Sequence, residues 1–503
     1  MVAALALPAA LEGLEPANLW SLFAELSSIP RPSKHEERVI EWLKAFAGDR
    51  KLECVQDAVG NLVIRRPGSG GGENAPPVII QGHVDMVTEK NAETVHDFMA
   101  DPIRLVRDGD WITADGTTLG ADNGIGVCTA LAVLNLPSDA KLPPIEALFT
   151  IDEETGLTGA FGLDGSMLKG RTMLNLDTEE WPEVFIGCAG GGDTVLTLNL
   201  SQDEAPPAAM AMEISFIGLK GGHSGVDIHE DRGNAVRMAA VAVEKALVAA
   251  PNARLVSING GDKRNAIPRE CRAVVMVPTE EVQSLKNAVA AVESDFKAEY
   301  GHREPDIRAA VEEKTKDSSG VLSPKESDRL LNLLLSLPHG VVKFSHTVPD
   351  LVETSSNLAS VRPSGAVAPG GQVAYRIQCS TRSSLMPALE RTRGAIRRIG
   401  GLCGANIEQD EAYPGWAPQP DAEIVGLTQR TIADVAGRLP AVKAIHAGLE
   451  CGIIGEKLPG CQSVSYGPTI QCAHSPDEKV QISTVKPFWD ATIKLLEQLA
   501  ERK

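Results

Sequence analysis

At roughly 150 residues per domain, 503 residues allow two to four domains, and 43% hydrophobic residues suffice for more than one buried core, which excludes disorder and mini-protein scaffolds. Against 67 acidic residues stand 48 basic ones, a net charge of -19 that repels nucleic-acid phosphate and anionic lipid, so no nucleic-acid or membrane partner is expected. Aromatic residues make up only 4%, too few for a base-stacking platform.

The chain opens on an apolar stretch, Val2 to Leu11, that has no basic leader, contains Pro8 and runs into Glu12 and Glu15, so no signal peptide is expected. Between Lys34 and Arg50, Val39, Trp42, Leu43 and Phe46 fall at helical spacing and form one apolar stripe. Short β-rich runs follow at Asn61–Arg65, Pro77–Gln81, Glu146–Ile151 and Thr172–Leu176, with a helical run at Gly124–Leu136 between two of them. This alternation predicts an α/β fold. From about Gly190 the texture changes to strands at Met212–Ile217, Cys271–Val277 and Val373–Cys379 and helices at Asn234–Ala249 and Glu280–Tyr300, a second, α+β unit. Gly-rich punctuation at 189–192 and 399–401 predicts its edges. From Glu423 the tail alternates helix and short strand again and closes on an amphipathic run, Thr484–Leu499. No stretch approaches the ~18 to 20 apolar residues of a membrane-spanning helix. The nine cysteines are odd in number and never spaced as CxxC, which predicts a reducing compartment, the cytoplasm, and no thiolate zinc site.

Four strand ends carry polar chemistry. The run 77–87, PVIIQGHVDMV, delivers His83 and Asp85 at the C-terminal end of an apolar strand, where open α/β sheets place ligands. Asp85 is spaced to fix the second ring nitrogen of a metal-bound His83. LGADNGIG sets Asp122 in a Gly-rich turn at a helix start, where taken alone it reads as an N-cap. A further strand ends in Asp152, Glu153 and Glu154, whose mutual repulsion asks for cations or solvent, and Asn-Leu-Asp closes another on Asp177. Far downstream, His474 is held on a loop before a Ser-Pro turn. Two divalent ions sharing a carboxylate, each completed by a carboxylate and a histidine, form a hydrolytic centre. Glu153, next to a ligand and facing elsewhere, is then free to carry a proton.

In order, QGHVDMV, LGADNGIG, DEETG, NLD and AHSPDE resemble the dinuclear-zinc exopeptidases related to carboxypeptidase G, and the likeness extends through GLKGGHSG, NAIP and HAGLECG. The resemblance implies that His83 and Asp177 bind one metal, Glu154 and His474 the other, and Asp122 bridges. Glu153 is then the general base and Asp85 orients His83. It implies two zinc ions, with manganese or cobalt as alternatives, and a non-proline cis peptide at Asp122-Asn123. It further implies a zinc-exopeptidase catalytic domain, a mixed sheet flanked by helices built from residues 1–189 and 401–503, interrupted by a lid or dimerisation domain over 190–400. In that insert His223 is a candidate to stabilise the oxyanion, and Asn265 and Arg382 to hold the substrate's backbone and terminal carboxylate. The implied reaction is hydrolysis of small dipeptides, Xaa-His dipeptides such as carnosine among them, by a homodimer. An N-acyl amino acid deacylase, a carboxypeptidase or a binding protein that keeps the fold are the alternatives.

Overall fold

A computed structural model describes residues 7–315, 320–364 and 370–502. Residues 2–6 of the N-terminal apolar stretch lie outside that range. The chain forms two compact units, one of Met1–Cys188, Trp416–Ala444 and Leu449–Lys503, the other of Ala189–Gly415 and Ile445–Gly448.

The first unit is built on an eight-stranded sheet in the order Glu53–Gln56, Leu62–Arg66, Ile145–Thr150, Val78–His83, Thr172–Asn175, Gln462–Ser465, Val184–Cys188 and Val442–Ile445. Its four central strands, from Ile145–Thr150 to Gln462–Ser465, are mutually parallel. They read as near-continuous apolar runs because both faces are covered. Leu62, Ile64, Val78, Ile80, Ala147, Phe149 and Leu174 enter one core, while the alternate residues Val63, Ile79, Leu148 and Met173 enter another. The expected amphipathic helix is Glu37–Asp49, whose Val39, Leu43 and Phe46 are buried. Helix Ala121–Leu134 packs on strand Val78–His83 and on helix Ala17–Ser27. A small four-stranded sheet, Ile470–Gln471, Lys479–Gln481, Trp111–Ala114 and Leu105–Asp108, carries the loop that holds His474.

The second unit is an antiparallel sheet whose main path runs Arg308–Lys314, Ala209–Ile217, Cys271–Pro278, Arg254–Gly261, Val352–Ser364, Gln372–Ser383, Gly190–Asp203 and Val321–Leu322. Alternate residues of these strands, Leu196, Leu198, Met212, Ile214, Ala273, Val275, Val373 and Ile377 among them, form one core with helices Ala235–Ala249, Val282–Tyr300 and Pro324–Ser336. The chain enters this unit between Cys188 and Ala189. Its exit differs from the expected junction at 400–401. Ile399, Gly400 and Gly401 lie inside helix Met386–Leu402, and strand Asn406–Gln409 pairs with Gly190–Asp203, so the unit continues to Gly415. Gly400 marks close packing instead of a break: a Cβ there would lie 2.2 Å from Leu196 Cδ2.

Among the described residues no helix is long and apolar enough to cross a membrane. All nine cysteines are free thiols.

Candidate metal centre

Parallel strands end together, so side chains just beyond their C-termini share one sheet edge. In the first unit His83 pairs in register with Thr150, and Gln81 with Asn175. Asp85, Asp152 to Glu154 and Asp177 therefore leave the sheet at the same level, although they are spread over nearly a hundred positions of chain.

Two groups of three donors result: His83, Asp122 and Asp177, and Asp122, Glu154 and His474, with the donor atoms of each group within 4.8 Å of one another. Asp122 belongs to both. Its Oδ1 lies 3.1 Å from His83 Nε2 and its Oδ2 lies 3.3 Å from His474 Nε2. Asp177 Oδ1 is 3.3 Å from His83 Nε2, and Glu154 Oε2 is 2.9 Å from His474 Nε2. Glu153 joins His83 and Glu154 in a third group of this kind. Asp122 does not act as an N-cap: it lies at a kink inside helix Ala121–Leu134, with non-helical φ -77° and ψ 113°, and its two oxygens face the histidines; the Asp122-Asn123 peptide is cis, as the resemblance implied.

Asp85 is fully buried and places Oδ1 3.3 Å from His83 Nδ1. Its carboxylate accepts the N–H groups of Glu153 and Glu154 at 3.1 and 3.2 Å and the Ser33 hydroxyl at 2.8 Å. One side chain thus fixes both the imidazole and the acidic turn. Asp152 belongs to a separate buried group with Glu36 and Asp85. Its carboxylate accepts the hydroxyls of Thr155 and Thr158, and its N–H donates to Glu36.

Electrostatics favour positive charge at this edge. The hydrogen bond to Asp122, then that to Glu154, push the His474 pKa up to about 11. Burial alone would depress His83, yet Asp177 and hydrogen bonds to Asp122, Asp177 and Asp85 carry it well above the ordinary imidazole value. Burial opposes ionisation of Asp122, but both imidazoles hold its carboxyl well below the usual range. Burial raises Asp177 to about 6 and lifts Glu153 well above the carboxylate range. The donor set fits divalent cations. It is all imidazole and carboxylate, and Glu154 Oε1 is buried with no hydrogen-bond partner among the described residues.

Two supporting residues were given no role by the sequence motifs. Arg31 is buried and donates from Nη1 to the carbonyls of Val84 and Asp85, both at 2.9 Å, and from Nη2 to that of Gly120 at 2.6 Å. Glu478, four residues after His474, accepts the N–H groups of Leu119, Gly120, Ala121 and Asp122 at 2.7, 2.9, 2.8 and 3.2 Å. The AHSPDE loop thereby brings a histidine to the centre and clasps the turn that presents Asp122. The acid in that motif was its only visible trace.

His223, Asn265 and Arg382 belong to the second unit. Gly222–His223 pairs with Ala266–Ile267, and His223 and Asn265 both line a cavity of about 930 Å³. His223 Nδ1 accepts the N–H groups of Gly225 and Val226 at 3.3 and 3.0 Å, so its Nε2 carries the proton. Burial and then Arg382 lower its pKa to about 4, which keeps the ring a neutral donor. Arg382, on strand Gln372–Ser383, does not line that cavity. It is buried rather than a surface residue, and its Nη1 lies 3.4 Å from Tyr413 Oη.

Fold and site define a metallohydrolase. Residues 79–501 match the model of peptidase family M20/M25/M40, and the chain belongs to that family. It is an enzyme that hydrolyses peptide bonds, and the family resemblance read from its motifs holds. The chain is 38% identical to the cytosol non-specific dipeptidase of Escherichia coli (strain K12), over 97% of this chain and 99% of that protein. The crystal structure of aminoacylhistidine dipeptidase from Vibrio alginolyticus superposes with a TM-score of 0.88 at 41% identity, covering 97% of this chain and 98% of that one. Aminopeptidase PepT from Bacillus cereus shares the fold, with a TM-score of 0.59 at 17% identity over 97% of this chain and all of that one.

Proposed function

We propose that the protein is a dipeptidase dependent on two divalent ions, zinc first and manganese or cobalt as substitutes, that cleaves Xaa-His dipeptides such as carnosine and other dipeptides. One observation carries this: Asp122 turns one oxygen to each of two histidines, and each pair is completed by a further carboxylate. The names of the two similar proteins, both dipeptidases, support the substrate class.

His83 and Asp177 would hold one ion and Glu154 and His474 the other, with Asp122 available to both. When bound, such ions polarise a peptide carbonyl and make water acidic enough to attack near neutral pH. Asp85 keeps the His83 ring oriented. Glu153 accepts the proton of the attacking water and returns it to the leaving amine, a task suited to a carboxyl whose pKa burial has raised. His223 donates from Nε2 to the developing oxyanion, Asn265 holds the substrate backbone, and Arg382 takes the terminal carboxylate. The second unit is a lid and dimerisation domain of a homodimer. Free thiols throughout support a reducing, cytoplasmic setting.

The test is a substrate panel on protein of measured metal content: carnosine, other Xaa-His dipeptides, dipeptides without histidine, tripeptides and N-acyl amino acids. Dipeptides should be cleaved fastest. Faster turnover of N-acyl amino acids would make the enzyme a deacylase, and faster turnover of longer peptides a carboxypeptidase.

A further inference from the structure

One layer beneath the donors, the parallel strands carry polar side chains where apolar ones would pack more stably. Thr150, Gln81, Asn175 and Ser465 are all buried, each on a different strand of the first unit's sheet. They form one chain of hydrogen bonds. Gln81 Nε2 donates to Thr150 Oγ1 at 3.2 Å, Asn175 Nδ2 donates to Gln81 Oε1 at 2.5 Å, and the Ser465 hydroxyl donates to Asn175 Oδ1.

Glu450 closes this belt from helix Glu450–Lys457. The residue is fully buried, and its Oε2 accepts from Gln81 Nε2 and from the Thr150 hydroxyl, both at 2.6 Å. Its Oε1 is buried without a hydrogen-bond partner among the described residues. Burying a carboxyl with a free oxygen costs stability, so a reason beyond packing is required. The belt supplies one. Gln81 lies two residues before His83, Thr150 three before Glu153, and Asn175 two before Asp177. Glu450 grips the first two directly and the third through Gln81. It lies in HAGLECG, a motif to which the proposed chemistry assigns no role.

We propose that Glu450 is a positioning residue of the metal centre: by holding Gln81 and Thr150 it locks adjacent strand ends at the spacing that lets His83, Glu154 and Asp177 share ions with Asp122. This rests on the two-metal reading above. Both bonds require only an acceptor, so charge on Glu450 is dispensable and its oxygen is not.

The test compares Glu450→Gln, Glu450→Ala and Thr150→Val as full-length protein. Zinc affinity should fall about 10- to 100-fold in Glu450→Ala, the range typical of residues that orient metal ligands, with kcat falling in step and KM within about threefold of wild type. Glu450→Gln should stay within about threefold of wild type in all three. Thr150→Val, which keeps the shape and removes one bond, should fall between. In cobalt-loaded protein, the spin coupling between the two ions should change in Glu450→Ala and persist in Glu450→Gln. In protein stripped of metal, amide exchange over residues 81–83 and 150–152 should quicken in Glu450→Ala more than the urea midpoint accounts for. Unchanged zinc affinity, cobalt coupling and exchange in Glu450→Ala overturn the proposal, as does failure of Glu450→Gln to restore them. Wild-type protein that binds no divalent ion while strand-end exchange still responds to Glu450→Ala would sink the two-metal reading and leave Glu450 a purely structural residue.

Discussion

The two units use sheets of opposite logic. In the first, four parallel strands buried on both faces finish at one edge, so each strand can hand a polar residue to the same small volume. In the second, antiparallel strands finish at alternate edges, and one face builds a core with the helices. A parallel sheet gathers ligands from remote stretches of chain at little cost to its own packing, because they lie beyond the last apolar residue. An antiparallel sheet places its polar groups along strands and in the loops between them, as with Arg382 on a strand and His223 beside Asn265.

Four substitutions and one metal removal test that contrast. The largest effect should come from the shared ligand. Asp122→Ala should lose both ions and all measurable turnover, and chelation should silence the wild type with recovery on adding zinc; one ion retained in the variant would mean that the two groups of donors are independent. Next, Glu153→Ala should lower kcat by about 10²- to 10⁴-fold with metal content unchanged, so a near-normal rate would reject it as the base. Glu478→Ala should orphan four N–H groups at about 1–3 kcal/mol each where they stay dry, lowering both the urea midpoint and zinc affinity. The smallest effect belongs to the second unit. Asn234 caps helix Ala235–Ala249 by accepting from the N–H groups of Val236 and Arg237 at 3.0 and 3.2 Å. Asn234→Ala should cost about 1 kcal/mol and leave metal content untouched, whereas metal loss would show that the units do not keep their tasks apart.

What the sequence revealed follows the same division. Strand Val78–His83 and its neighbours were legible because apolar runs ending in His, Asp or Glu have few other uses. The clustered donors His83, Asp122, Glu154, Asp177 and His474 were legible because they sit in compact motifs. Arg31 and Glu478 were not, since each serves backbone groups remote in sequence: Arg31 holds the Gly120 carbonyl, and Glu478 the amides of 119–122. No periodicity encodes a bond to a backbone group. Glu450 was hidden for a related reason, because a carboxyl in a helix gives no hint of burial. The glycines at 400–401 misled because Gly disfavours helices in general, while here the missing Cβ of Gly400 makes room for Leu196.

The loop between strands Ile470–Gln471 and Lys479–Gln481 has a bearing on biosynthesis. It brings both His474 and the Glu478 clasp, so a nascent chain emerging from the ribosome already holds Glu153 and four of the five proposed ligands, His83, Asp122, Glu154 and Asp177, yet not His474, which completes the set. If His474 serves as proposed, hydrolytic competence arrives late in translation, and polypeptides terminated before this loop should be inert instead of partly active.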